Sequence, residues 1–326
     1  MSLSQSFIRE DGSLALRLIG DIGGTNARLA LAENGRYGAL FAYLAEDYAG
    51  LEDCIEDYLR RHAGGRRPTE IAVAVAGPVG DDRVVMTNHP WSFSKTELKA
   101  RFEVARLEVL NDFTANAVAV PFLESEDLRK IGGGAAVERA AIGILGPGTG
   151  LGVSGLLQDS GGRWTPLVGE GGHVTMAPSN DRESAVLSLL RRRFDHVSAE
   201  RLLSGDGLVN IYEALCALDG HPSAAYRPAQ ITDPELAERD PACREAVEMF
   251  CAGLGAIASN LALTLGALGG IYIAGGIAPR LGDRFVNSGF RARFEAKGRF
   301  HGYLARIPTF LITHKNPALV GLARLD

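Results

Sequence analysis

Leu16-Arg-Leu-Ile-Gly-Asp-Ile-Gly-Gly-Thr-Asn-Ala-Arg-Leu-Ala-Leu-Ala32 is the stretch on which the fold turns. Leu16 to Ile22 reads as a strand, Gly23 to Asn26 as a tight turn, and Ala27 to Ala32 as a returning strand. Gly23, Gly24, Thr25 and Asn26 serve equally well as a plain hairpin turn or as a cradle of backbone N–H groups for an anion, because glycine lets the backbone approach closely. Asp21 separates the two readings. A carboxylate beside bound phosphate is repelled unless a cation lies between, which points to hydrated Mg²⁺ bridging the phosphates.

The pattern recurs further along. Ile142-Gly-Ile-Leu-Gly146 runs into Pro147-Gly148-Thr149-Gly150 and a second strand, Leu151 to Leu157. Ile71-Ala-Val-Ala-Val-Ala76 ends in Gly77-Pro78, and Gly270-Ile-Tyr-Ile-Ala274 ends in Gly275-Gly276. Each half thus holds a glycine-tipped hairpin followed by a strand with a glycine pair at its end. A duplicated α/β chain with glycine turns around one cleft is the expectation. Between these strands, a helix is expected near Tyr48 to His62, and another is capped by Ser94 with Glu97. Leu107 to Leu110 is a strand with Asn111-Asp112 at its end, before a helix starting near Thr114. Ala318 to Leu325 reads as a terminal helix capped by Asn316, with Pro317 at its first position.

At 326 residues the chain is long enough for two domains. The net charge of −5 gives no basic footprint for nucleic acid or an anionic membrane. No secretory pattern precedes Leu16. Cys54, Cys216, Cys243 and Cys251 lie far apart without metal-ligand spacing, which fits reduced thiols in a cytoplasm. Cys54 shares an apolar helical face with Leu51, Ile55, Tyr58 and Leu59. Met249 to Pro279 has no charged residue, but its glycines and polar residues favour a buried helix and strand over a membrane span.

Two familiar nucleotide signatures fail. No lysine follows a glycine, so there is no Walker loop. Gly150-Leu-Gly152-Val-Ser-Gly155 with Glu170 downstream matches a dinucleotide fingerprint formally, yet it is extended in character where that fingerprint must open a helix. Asp112, at the carboxyl end of a strand, is a candidate general base or a helix cap, with Asn111 beside it able to hold a hydroxyl. Gly169-Glu170-Gly-Gly-His173 suits a loop over a polyhydroxylated ligand. Glu200, near the start of a helix, reads as a solvated helix residue.

Seven stretches occur in order: Asp21-Ile-Gly-Gly-Thr-Asn-Ala-Arg28, Asn88-His-Pro-Trp91, Leu110-Asn-Asp-Phe113, Leu145-Gly-Pro-Gly-Thr-Gly-Leu-Gly152, Gly169 to His173, Ser198-Ala-Glu-Arg-Leu-Leu-Ser-Gly205 and Ile273-Ala-Gly-Gly-Ile277. Together they resemble the bacterial glucokinase family of the hexokinase and actin-like ATPase superfamily, from about Leu16 to the terminal helix. Only the polar lead-in departs from it. The resemblance implies a two-domain actin-like ATPase fold, a duplicated ribonuclease H-like α/β architecture. Its domains would be residues 1–121 with about 313–326, and residues 122–312. It further implies transfer of the γ-phosphoryl of ATP to the 6-hydroxyl of glucose, with Asp112 as general base. Asn88, Asn111, Glu170, His173 and Glu200 would hold the sugar. Gly23 to Asn26 and Gly148 to Gly150 would cradle phosphates, Gly275 and Gly276 would lie by the adenosine, and Asp21 would order Mg²⁺ through water. A cytoplasmic homodimer is the implied form. The related ROK sugar kinases typically carry a cysteine-rich zinc loop, which this chain lacks. A sugar-responsive regulator would need a DNA-binding segment ahead of the first strand, where fewer than about twenty residues precede it.

Overall fold

In the computed structural model, which describes residues 15–77, 79–87 and 89–325, the opening stretch forms β1 (Arg17–Ile22) and β2 (Asn26–Glu33). They pair antiparallel from Arg17 opposite Ala32 to Ile22 opposite Ala27. Next come β3 (Arg36–Tyr37), β4 (Phe41–Leu44), β5 (Glu70–Val75), the hairpin of β6 (Arg83–Val85) and β7 (Ser92–Ser94), and β8 (Arg106–Asn111). One six-stranded sheet has the order β3-β2-β1-β5-β8, with β4 also on β2. Both β1–β5 and β5–β8 are parallel, so β1, β5 and β8 end along the same edge.

Side chains alternate across a strand, and both faces of this sheet are covered. Leu18, Ile22, Leu29 and Val73 pack with Leu51, Cys54, Ile55 and Tyr58 of the helix Leu51–His62. On the other face Ile19, Ala30, Ala72 and Ala74 meet Ala115, Leu319 and Leu322. That alanine-rich face admits two closely crossing helices, Asp112–Ala119 and Pro317–Ala323. A Cβ at Gly321 would stand 2.4 Å from the Ala115 carbonyl oxygen, so this crossing tolerates no larger residue.

The second sheet repeats the plan with β9 (Leu128–Gly132), β10 (Ile142–Pro147), β11 (Leu151–Gln158), β12 (Trp164–Leu167), β13 (Ile271–Ile273) and β14 (Thr309–Ile312). Its order is β12-β11-β10-β13-β14-β9. The hairpin β10–β11 is antiparallel, while β10–β13 and β13–β14 are parallel. The correspondence reaches single residues. Gly20 lies opposite Val73 and Gly143 opposite Ile271, each where a Cβ would press on the partner strand's side chain, at 3.1 and 2.5 Å. After the parallel strand, Ala76 donates its N–H to Ile22 and Ala274 donates to Leu145. The duplication expected from the short glycine strings is therefore real.

The chain divides into two compact units, one up to Glu124 plus the tail from His314, the other Ser125–Thr313. The second is organised around the helix Pro241–Leu265, capped by the Asp240 side chain and closed by left-handed Gly266 (φ 61°). By length and composition this helix could cross a membrane, but Cys243, Val247, Phe250, Leu254 and Ala258 are buried in the unit's own core.

Three local expectations need correction, and one, the Ser94 cap, holds. The helix after β8 begins at Asp112 rather than near Thr114, because the Asn111 side chain caps it. Glu200 is not on a helix; it lies in an irregular turn, and the helix that follows, Gly205–Leu218, starts from the cap Ser204. Asn316 precedes Pro317 as expected, but its side chain makes no capping bond; its N–H donates to His314 Nδ1. Ser94 caps the helix Lys95–Arg101 by accepting from the Glu97 N–H.

Candidate active site

In the first unit, the parallel strand ends bring the candidates onto one edge. Asp21 sits one residue from the end of β1, opposite Arg28 on β2, whose Nη1 is 3.3 Å from its Oδ2. Burial raises the Asp21 carboxyl above its ordinary range, and the Arg28 cation works against that shift. The turn beyond is anchored twice, with Gly23 N–H donating to Asn26 O and Ala45 N–H to Thr25 O, both at 2.9 Å. The N–H of Gly23 is thus spent on the turn, leaving Gly24 and Thr25 at its tip.

Two strands over, Asn111 Oδ1 accepts from Phe113 N–H at 2.9 Å and Thr114 N–H at 3.2 Å. Its amide donates to the Gly77 carbonyl at 3.2 Å. The side-chain oxygen that could accept from a sugar is therefore engaged, and Asn111 can offer a hydroxyl only its remaining amide N–H. What Asn111 does visibly is fix the turn that presents Asp112. Asp112 Oδ1 accepts from Phe113 N–H at 2.9 Å. Burial pushes its carboxyl up to about 6, and the negative charge of Asp21 adds to the shift. These two carboxylates are close enough to sense one another. Asn88 lies outside the described residues; beside it, Thr87 N–H donates to Ala76 O, and Trp91 is buried with its indole N–H on Tyr48 O.

The second unit gathers its candidates around Pro147 to Leu151. Gly148 N–H donates to Gly150 O at 2.8 Å, the counterpart of the Gly23 turn. Gly275 has φ 79°, and a Cβ there would stand 2.3 Å from the Pro147 carbonyl oxygen. Only glycine fits. Gly276 next to it faces open space. Gly205 N–H, at the start of its helix, donates to Gly148 O at 2.9 Å. Gly172 lies so close to Leu151 that a Cβ would meet its carbonyl oxygen at 2.1 Å, and Gly171 packs likewise on Val153. Glycines in the Glu170–His173 loop thus serve close approach to β11. Glu170 and His173 are exposed there, with His173 N–H on Glu170 O. Glu200 Oε2 accepts from Leu151 N–H at 2.8 Å.

Among the described residues, Asp21, the Gly23–Asn26 turn and Asp112 thus share one sheet edge of the first unit, and in the second Gly275 and Glu200 pack on the Pro147–Leu151 turn, with Gly171 and Gly172 against β11. Three partners were not singled out: Arg28, Gly205 and the Leu151 N–H. The first was legible, since a hairpin centred on Gly23–Thr25 sets residue 28 across from residue 21. Ser204-Gly205 carries an ordinary helix-start signal. A backbone amide pairing with a carboxylate 49 positions away leaves no mark in a sequence.

A hard carboxylate at Asp21 suits Mg²⁺, which commonly takes one or two carboxylates and completes its shell with water and phosphate oxygens. Among the described residues, no group of three or more His, Cys, Asp or Glu side chains is placed to hold a metal on its own.

The chain is similar to known proteins over nearly its whole length. The glucokinase family profile matches residues 18–325. A glucokinase of Nitrobacter hamburgensis is 51% identical over 311 residues, covering 95% of this chain and 97% of that protein. The crystal structure of a glucokinase from an Antarctic psychrotroph superposes with a TM-score of 0.88 at 35% identity, covering 96% of this chain and 98% of the other. A glucokinase from Balamuthia mandrillaris, solved in complex with glucose, shares the fold at a TM-score of 0.78 and 22% identity, covering 98% and 96% of the two chains. The fold is that of the actin-like ATPases, α/β with mixed sheets. With a profile spanning nearly its whole length and half its residues shared with a bacterial relative, the chain belongs to the glucokinase family.

Proposed function

We propose that this chain transfers the γ-phosphoryl group of ATP to the 6-hydroxyl of D-glucose, giving glucose 6-phosphate and ADP, with Asp112 as general base. The observation that carries the reading is Asp112 itself. Its carboxyl stands at a strand end, oriented by the Asn111 cap, with a pKa raised to about 6 that leaves it ionised at neutral pH yet a competent proton acceptor. As the sugar O6 approaches the γ-phosphorus, the O6–P bond forms and the bond to the ADP oxygen breaks. The O6 proton passes to Asp112.

Phosphoryl transfer of this kind depends on positioning and charge stabilisation more than on covalent participation by the protein. Gly24, Thr25 and the turn Gly148–Gly150 would face phosphate oxygens. Glu170, His173 and Glu200 would fix sugar hydroxyls, together with Asn88 and the remaining Asn111 amide N–H. Gly275 and Gly276 would border the adenosine. Magnesium would be held by Asp21, through water, and would neutralise charge on the phosphates. Arg28 holds Asp21 in place and keeps part of its charge balanced.

We propose further that the protein works as a cytoplasmic homodimer. All four cysteines are buried, and burial pushes Cys54, Cys243 and Cys251 up to about 12, so these thiols resist oxidation and suit a reducing compartment. Sedimentation would test the dimer. The activity is tested by ADP release with glucose, mannose and glucosamine as acceptors. Glucose is expected to give the highest kcat/KM, and ADP release indifferent to every hexose would contradict the proposal.

A further inference from the structure

The backbone around Glu200 is pinned on both sides. Its N–H donates to Gly172 O at 2.9 Å, Ala199 N–H donates to Val174 O at 2.8 Å, and its carbonyl accepts from Ser204 Oγ at 2.8 Å. The side chain of this fixed turn reaches the end of the Gly148–Gly150 turn, where Oε2 takes the Leu151 N–H at 2.8 Å. Gly150 makes room for it, since a Cβ there would stand 2.5 Å from Oε2. The carbonyl of the same Leu151 abuts Gly172 of the Glu170–His173 loop. One residue at the exit of the phosphate turn is therefore gripped by two segments otherwise expected to serve the sugar.

We propose that Glu200 is a positioning residue for the nucleotide as well as a sugar contact. One carboxylate oxygen sets the Gly148–Leu151 turn, and the other is left for a sugar hydroxyl. Because both demands fall on one side chain, sugar and nucleotide affinities are linked through it, and the linkage is reciprocal. The inference rests on the kinase reading above, but its nucleotide arm can be measured with no sugar present.

The test is calorimetric titration of a non-hydrolysable ATP analogue with magnesium, in the absence of sugar and then with saturating glucose. Glu200→Ala is expected to lose about 10-fold in nucleotide affinity without sugar, the scale of a hydrogen bond to a charged acceptor. Glu200→Gln keeps an oxygen for the Leu151 N–H and should stay within about 3-fold of the parent, whose hydrogen bond it weakens without removing. Glu170→Ala should bind nucleotide like the parent, because its side chain does not hold the turn. Gly150→Ala, whose Cβ would displace the carboxylate, should copy Glu200→Ala and carries the comparison if that variant does not fold. Glucose should alter nucleotide affinity in the parent and much less in Glu200→Ala. Parent-like nucleotide binding by Glu200→Ala without sugar overturns the proposal, and so does an equal loss in Glu170→Ala. If the parent binds nucleotide but does not phosphorylate glucose, the functional reading fails while the nucleotide arm still decides the role of Glu200.

Discussion

At the scale of single residues, Asp112 shows how a functional group is held at a thermodynamic cost. Its pKa rises from 3.8 to about 6 on folding, so between those values the folded state binds more protons than the unfolded chain. Stability therefore falls as pH rises through this window, and the cost is fully present above pH ~6. Asp112→Asn carries no such charge. It should melt higher than the parent at pH 7, by about 1–3 kcal/mol in stability, and close to the parent at pH 4. A variant less stable at pH 7 than at pH 4, relative to the parent, would contradict the assigned burial effect. The same ionisation should appear in catalysis: parent kcat/KM should drop about tenfold per unit below pH ~6, since the base is lost on protonation. Asp21 makes a different prediction. Asp21→Ala should shift the magnesium dependence of activity to higher concentration while leaving glucose binding by calorimetry unchanged; an unaltered magnesium titration would reduce Asp21 to a partner of Arg28.

At the scale of elements, what could be read in advance followed from backbone chemistry. Asp21 beside paired glycines, and the repeat of that turn at Gly148–Gly150, marked both hairpins, because turns impose residue types. Asn111 and Asp112 were legible as a strand end, but their division of labour was not. Either side chain can cap a helix, and only the coordinates assign the cap to Asn111. Glu200 was misplaced on a helix because its neighbours have ordinary helical propensity, whereas the bonds to Gly172 and Val174 hold that stretch as a turn. Gly171 and Gly172, read as part of a loop suited to a polyhydroxylated ligand, also pack closely on β11, a demand that the loop sequence does not reveal. A related consequence concerns the helix Pro317–Ala323, which crosses the helix carrying Asp112 at Gly321. Gly321→Val should force the two apart, lowering stability by about 1–3 kcal/mol and reducing kcat more than glucose affinity. A variant with parent-like melting temperature and turnover would show that this contact does not position the base.

At the scale of the molecule, one plan used twice explains why so much function depends on so few side chains. In both sheets an antiparallel hairpin precedes two parallel strands, and the same glycine positions keep the strands close and the turns open. Duplication supplies a glycine turn in each half; on the proposed reading the hexose chemistry would rest on residues that the halves do not share, Asp112 in one and Glu170, His173 and Glu200 in the other. On the proposed reading, Asp112 takes the proton as glucose is phosphorylated. That role is tested most directly by following sugar phosphate formation by phosphorus NMR with ATP, magnesium and glucose, for the parent and Asp112→Asn together. The parent is expected to give a glucose 6-phosphate resonance, and the variant a rate lower by ~10²-fold or more despite retained glucose binding. A variant that phosphorylates glucose at nearly the parent rate, or a parent that forms no sugar phosphate, would contradict that reading.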